Sequence, residues 1–167
     1  MFRPFLLAIA IALTAPAAAT GKTVFPDYGE PTAVFEFFFA DPRHIDSGLY
    51  WVRSFMNPLI EEPYSMAPEF LGIVVVVHGT EIVTLARHNY EKYRDSVERM
   101  RYYASLGVKF RVCGLAAGDY GYDADTFHDF VEIVPSAMVE IAHLQQQGYG
   151  LVIPQIRDKI FAIEEIR

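Results

Sequence analysis

Seven residues constrain this chain more than any others: Leu71-Gly-Ile-Val-Val-Val-Val77, a β-branched run with no polar interruption. A strand with one wet face alternates apolar and polar residues. An unbroken run reads as a strand buried on both faces, which points to a parallel sheet covered by helices. His78-Gly79-Thr80 follow at its end.

The rest of the chain can be ordered around that run. Ala33–Phe39 is apolar except for Glu36 and reads as a first strand, closed by the turn residues Asp41 and Pro42. Gly48–Ile60 places Leu49, Val52, Phe55, Met56 and Leu59 at helical spacing, with Pro58 weakening its end. Pro63 and Pro68 mark 61–69 as a loop. Tyr90, Tyr93, Val97, Met100 and Ala104 step by threes and fours across a charged background, an amphipathic helix with Gly107 at its stop. Val108–Val112 is a short strand that delivers Cys113. Gly114–Asp125, with three glycines and three aspartates, reads as irregular, and Thr126–Phe130 as a short helix or turn. Val131–Val134 is a fourth strand. Pro135 and Ser136 start a helix that runs to Gln147 and stops at Gly148, with Glu140 in its early turns. Tyr149–Ile153 is a fifth strand, and Ile156, Ile160 and Ile163 share one face of a docked terminal helix over 155–167. Alternating strands and helices with short connections predict an α/β fold: three layers, with an open, mainly parallel five-stranded sheet and helices on both faces.

Residues 1–19 stand apart. Arg3 leads into an apolar run from Phe5 to Leu13, then into small residues, with Ala17 and Ala19 in a small-x-small pattern before Thr20. A membrane span needs roughly 20 apolar residues, so this run reads as a secretory signal peptide cleaved near Ala19. The expectation is an exported protein, placed in the periplasm, with no membrane span. Residues 20–32, with two prolines and two glycines, read as an extended arm. The net charge of −7 argues against nucleic acid or anionic lipid as a partner through bulk electrostatics. At 52% hydrophobic, the chain is not a disordered one.

In an open parallel sheet, ligands and reactive groups gather beyond the carboxyl ends of the strands. Three candidates lie there: His78, Cys113 and Ser136. Cys113 is the single cysteine, which excludes an internal disulfide and a zinc site built from several cysteines. It directly precedes Gly114 and Leu115, whose backbone amides could stabilise a thiolate; such settings lower a thiol pKa from about 8.5 into the range of roughly 3.5–7.5. The alternative is a small buried apolar residue that ends a strand. Ser136 has no identifiable histidine base. His44, His88, His128 and His143 lack metal-ligand spacing. Glu140 and His143 match half of a di-iron element without its second copy. Asp119, Asp123 and Asp125 lack the spacing of a calcium loop. No metal site and no cofactor is expected.

The stretch GVKFRVCGLAAGDYG and the block Val134–Pro154 (VPSAMVEIAHLQQQGYGLVIP) resemble the DsrE/DsrF-like family of sulfur-relay proteins, as do VVVVHG at Val74–Gly79 and SLGV at Ser105–Val108. The resemblance covers roughly residues 33–154. It implies a three-layer α/β domain, a homo-oligomer (trimer or hexamer), and a cysteine that carries sulfur as a persulfide, with Cys113 at the matching position. The signal sequence places the chain with an exported branch of the family. The glycine-rich, acidic GLAAGDYGYDAD departs from the more regular helix usual after the family cysteine. On this resemblance the chain reads as a periplasmic sulfur carrier or sulfurtransferase-like protein. Cys113 would be the acceptor, the Gly114 and Leu115 amides its anion donors, and His78 a nearby polar group. Its partners would be a small sulfur compound or a partner-protein thiol. The competing readings are an oligomeric binding or scaffold module with a structural thiol, and a small-ligand or metal binder built on His78.

Overall fold

The computed structural model describes residues 21–157 and 160–167. The proposed signal peptide, 1–19, and its cleavage point lie outside the described residues. In chain order the elements are β1 (Thr32–Phe37), α1 (Ile45–Ile60), β2 (Gly72–Val77), α2 (Tyr90–Ser105), β3 (Lys109–Cys113) and α3 (Gly114–Asp119). They continue with β4 (Val131–Val134), α4 (Ala137–Gln146), β5 (Gly150–Val152) and α5 (Ile163–Ile166). The five strands form one sheet in the order β4-β3-β2-β1-β5, with every neighbouring pair parallel. The β-branched run takes the central place, and Ile73–Val77 are buried throughout.

The pleat sorts the strand residues into two cores. On one face Phe35, Phe37, Ile73, Val75, Val77, Phe110 and Val112 pack against α1 and α2, through Leu49, Val52, Met56, Val97 and Met100. On the other, Val34, Val74, Val76 and Cys113 meet Ala137, Ile141 and Leu144 of α4. Each such side chain contributes about 1.5–3 kcal/mol by leaving water, so the first face carries most of the stability. The layers are unequal: two long helices cover one face and one shorter helix the other.

Several elements differ from the sequence reading. The helix read from Gly48 begins at Ile45. Gly48 is inside it because a Cβ there would lie 2.7 Å from the Phe37 ring, so the glycine permits close helix–sheet contact rather than breaking the helix. Pro58 sits in the last turn of α1 without ending it early. Gly114–Asp119, read as irregular, is the short helix α3, and the turn expected at Thr126–Phe130 lies at Ala124–Thr126. The terminal helix read over 155–167 is confined to α5. Ile156 packs against the larger core, but Ile160 is 86% exposed and Ile163 is exposed too. Their spacing had suggested a helical stripe, and the fold offers it no face to cover. Residues 21–30 form no helix or strand and are exposed; the Tyr64 hydroxyl donates to Pro26 O at 2.7 Å, and the Tyr28 and Tyr64 rings lie 5.3 Å apart. Among the described residues no helix is long and apolar enough to cross a membrane.

Candidate functional site at the carboxyl end of the sheet

The strand register builds the site. Phe37 pairs with Val77, Val77 with Val112, and Cys113 with Val134. Phe38 and His78 are the next residues after Phe37 and Val77, and His78 N–H donates to Phe37 O at 3.0 Å, the bond that ends the β1–β2 ladder. Neighbouring parallel strands lie about 4.8 Å apart, and His78 and Cys113 stand at the ends of two such strands, in the alternation that faces α4.

Glu36, the only charged residue of β1, points to the same face two residues before Phe38. Its Oε1 lies 3.0 Å from His78 Nε2, and both side chains are largely buried. The Phe38 ring stacks on the imidazole with centroids 4.6 Å apart and an interplanar angle of 9°. His78 is therefore fixed on two sides, by a carboxylate and by an aromatic ring.

The segment beyond His78 is held by Glu81, which is fully buried. Its Oε2 accepts from Phe39 N–H at 2.9 Å and its Oε1 from Gly79 N–H at 3.0 Å. Burial pushes the Glu81 carboxyl above the usual range, against the pull of these backbone donors. A Cβ on Gly79 would come within 2.5 Å of both Glu81 Oε2 and Phe39 N, so only glycine fits between the clamp and β1. Thr80 closes the turn by donating its hydroxyl to Phe39 O at 2.9 Å.

Cys113 is 6% exposed, within the cluster of Val34, Val74, Val76, Ala137, Ile141 and Leu144. It takes an extended backbone conformation at the start of α3. Of the other sequence candidates, Gly114 is partly buried and Leu115 turns its side chain to solvent. Ser136 heads α4, two residues past Val134, and its hydroxyl makes no capping bond to that helix. The structure thus sets His78 and Cys113 at the ends of neighbouring strands and turns the Leu115 side chain away to solvent.

Between the ends of β1–β2 and α3 lies a cleft of about 390 Å³, walled by Phe38, His78, Gly79 and Thr80 on one side and by Ala116, Asp119 and Tyr120 on the other. Ala116, on the wall of the cleft, also packs against the cluster that holds Cys113. Sequence reasoning missed Glu36, Phe38, Glu81 and Tyr120. Only Glu36 carried a signal, as a charge inside an apolar strand. No group of three or more His, Cys, Asp or Glu among the described residues could hold a metal ion.

No curated protein matches the chain. Its fold is similar to the solved structure of MTH1491, a protein of unknown function from Methanobacterium thermoautotrophicum. The TM-score is 0.59 at 22% identity, over 74% of this chain and 99% of that one. The model of the DsrE/DsrF-like family matches residues 45–154, a span that runs from the start of α1 through β5 and includes His78 and Cys113. By that match the chain belongs to the DsrE/DsrF-like family.

Proposed function

We propose that this protein is an exported sulfur carrier of the DsrE type, working in the periplasm through Cys113. Family membership supports a sulfur-relay role in general terms. The single observation that carries the finer reading is His78, stacked on Phe38 and anchored by Glu36, at the end of the strand next to the one that Cys113 ends. A carboxylate that accepts the Nε2 proton leaves Nδ1 as the basic nitrogen of the ring, able to take a proton from a neighbouring thiol. The thiolate then attacks the outer sulfane sulfur of a donor. A bond forms from Cys113 Sγ to that sulfur, the donor's S–S bond breaks, and the shortened donor leaves with the bonding pair. Return to the thiol requires attack by an acceptor thiol on a partner, because this chain has no second cysteine.

Cys113 is buried among side chains of the sheet and α4, so a donor reaches the sulfur only after local movement. The six-residue helix α3, which begins at Gly114, draws little stability from its own hydrogen bonds and is the element beside the thiol most easily displaced. The near-complete burial of Cys113 in an apolar cluster favours a second reading, a non-catalytic oligomeric binding module with a structural thiol.

Intact-mass measurement after incubation with polysulfide separates the two. The carrier gains one sulfur atom and loses it to an added thiol, and Cys113→Ser gains none. If wild type and variant gain sulfur alike, or neither does, the thiol is structural.

A further inference from the structure

We infer that the cleft between the ends of β1–β2 and α3 binds a small organic cation with an apolar body. The cleft and its charges carry the inference, which does not rest on the reactivity of Cys113.

Among the described residues no lysine or arginine lines the cleft. Asp119 does, and its carboxylate has no hydrogen bond or ion pair among the described residues. Two further carboxylates lie close by: Glu36 behind His78, and the buried Glu81, which accepts from the amides of the cleft residues Phe39 and Gly79. With His78 protonated, the Glu36–His78 pair is neutral and Asp119 sets the sign; with His78 neutral, Glu36 adds to it. The cleft is negative in both states, which draws cations and repels inorganic anions.

The apolar part of the ligand has two aromatic surfaces to meet. Phe38 is 69% exposed, with His78 against one face of its ring and the other face open. Tyr120, 42% exposed, is backed by Tyr122 at 5.7 Å between centroids. Exposed aromatic rings beside an unpaired carboxylate attract a cation through both the ring face and the charge. The volume of about 390 Å³ lies within the range of roughly 300–1,000 Å³ in which small ligands bind.

Three probes of one size and different charge test this: benzylamine, benzyl alcohol and benzoate, each titrated into the protein and followed by backbone amide NMR shifts. The expected result is a benzylamine response centred on Phe38, His78, Thr80, Asp119 and Tyr120. Benzylamine should bind about tenfold more tightly than benzyl alcohol, and benzoate not at all. Asp119→Asn should bring benzylamine to the level of the alcohol while leaving the alcohol unchanged. Phe38→Ala should weaken both. Cys113→Ser should bind as wild type does, which keeps this result distinct from the fate of the sulfur-carrier reading. Asp119 is exposed, so its variant keeps the fold, and unchanged amide shifts outside the cleft verify that. Benzoate binding as well as benzylamine, full affinity in Asp119→Asn, or no response in the cleft to any probe would overturn the inference.

Discussion

His128 is a buried imidazole whose Nε2 has no hydrogen-bond partner among the described residues. It lies parallel to Phe130, with centroids 5.7 Å apart, and at an edge to Tyr90 at 5.9 Å. Burial depresses its pKa below the ordinary 6.5, and Arg101 and Arg87 push the same way against Asp129 and Glu98. The unfolded chain therefore binds this proton more readily than the folded one. The stability associated with a neutral His128 is complete above about pH 6.5 and declines as pH falls through 6.5 toward the folded value. Glu81, shifted upward by burial, acts in the opposite sense, losing stability as pH rises. Comparison of wild type with His128→Phe isolates the histidine. Thermal melts from about pH 8 to 5 should fall more steeply for wild type than for the variant; parallel curves would contradict this account of His128. Cys113 and His78 were legible in the sequence because each directly follows an apolar strand. The burial of Glu81 and His128 was not. Glu81 is satisfied by the amide of Phe39, 42 residues away, and His128 is enclosed by α2 and the segment before β4, contacts that no local pattern encodes.

At the scale of elements, periodicity revealed all five strands and the three long helices, because each has a face to bury. It failed at the C-terminal stripe, where Ile156 packs against the core while Ile160 and Ile163, repeating at helical spacing, stay exposed. It also started α1 three residues late, at Gly48, a position that lets the helix approach Phe37. The β1–β2 end shows the strictest constraint. Glu81 binds the amides of Phe39 and Gly79 with its two oxygens, and Gly79 lies so close to both that a methyl group cannot enter. Gly79→Ala should destabilise the fold by about 3 kcal/mol and broaden the amide signals of Phe38 and His78, read by urea denaturation and NMR. A variant as stable as wild type would show that the clamp yields more easily than its geometry implies.

The whole molecule has unequal layers. Two long helices cover one face of the sheet, and among the described residues α4 alone lies over the other; Met138 and Val139 on α4 and Leu151 and Ile153 at β5 are exposed. These are the apolar side chains that the proposed homo-oligomer would cover. Sedimentation of wild type should give a mass of more than one chain. Val139→Asp, on the outer side of α4, should shift the distribution toward the monomer without unfolding it. A monomeric wild type would remove the oligomer from the account.

The central claim concerns one sulfur atom. Tandem mass spectrometry of the polysulfide-treated protein locates any added sulfur on a peptide. The account predicts a single persulfide on the peptide carrying Cys113, formed more slowly in His78→Gln and absent in Cys113→Ser. An unmodified Cys113 peptide under conditions that load a free thiol would contradict it.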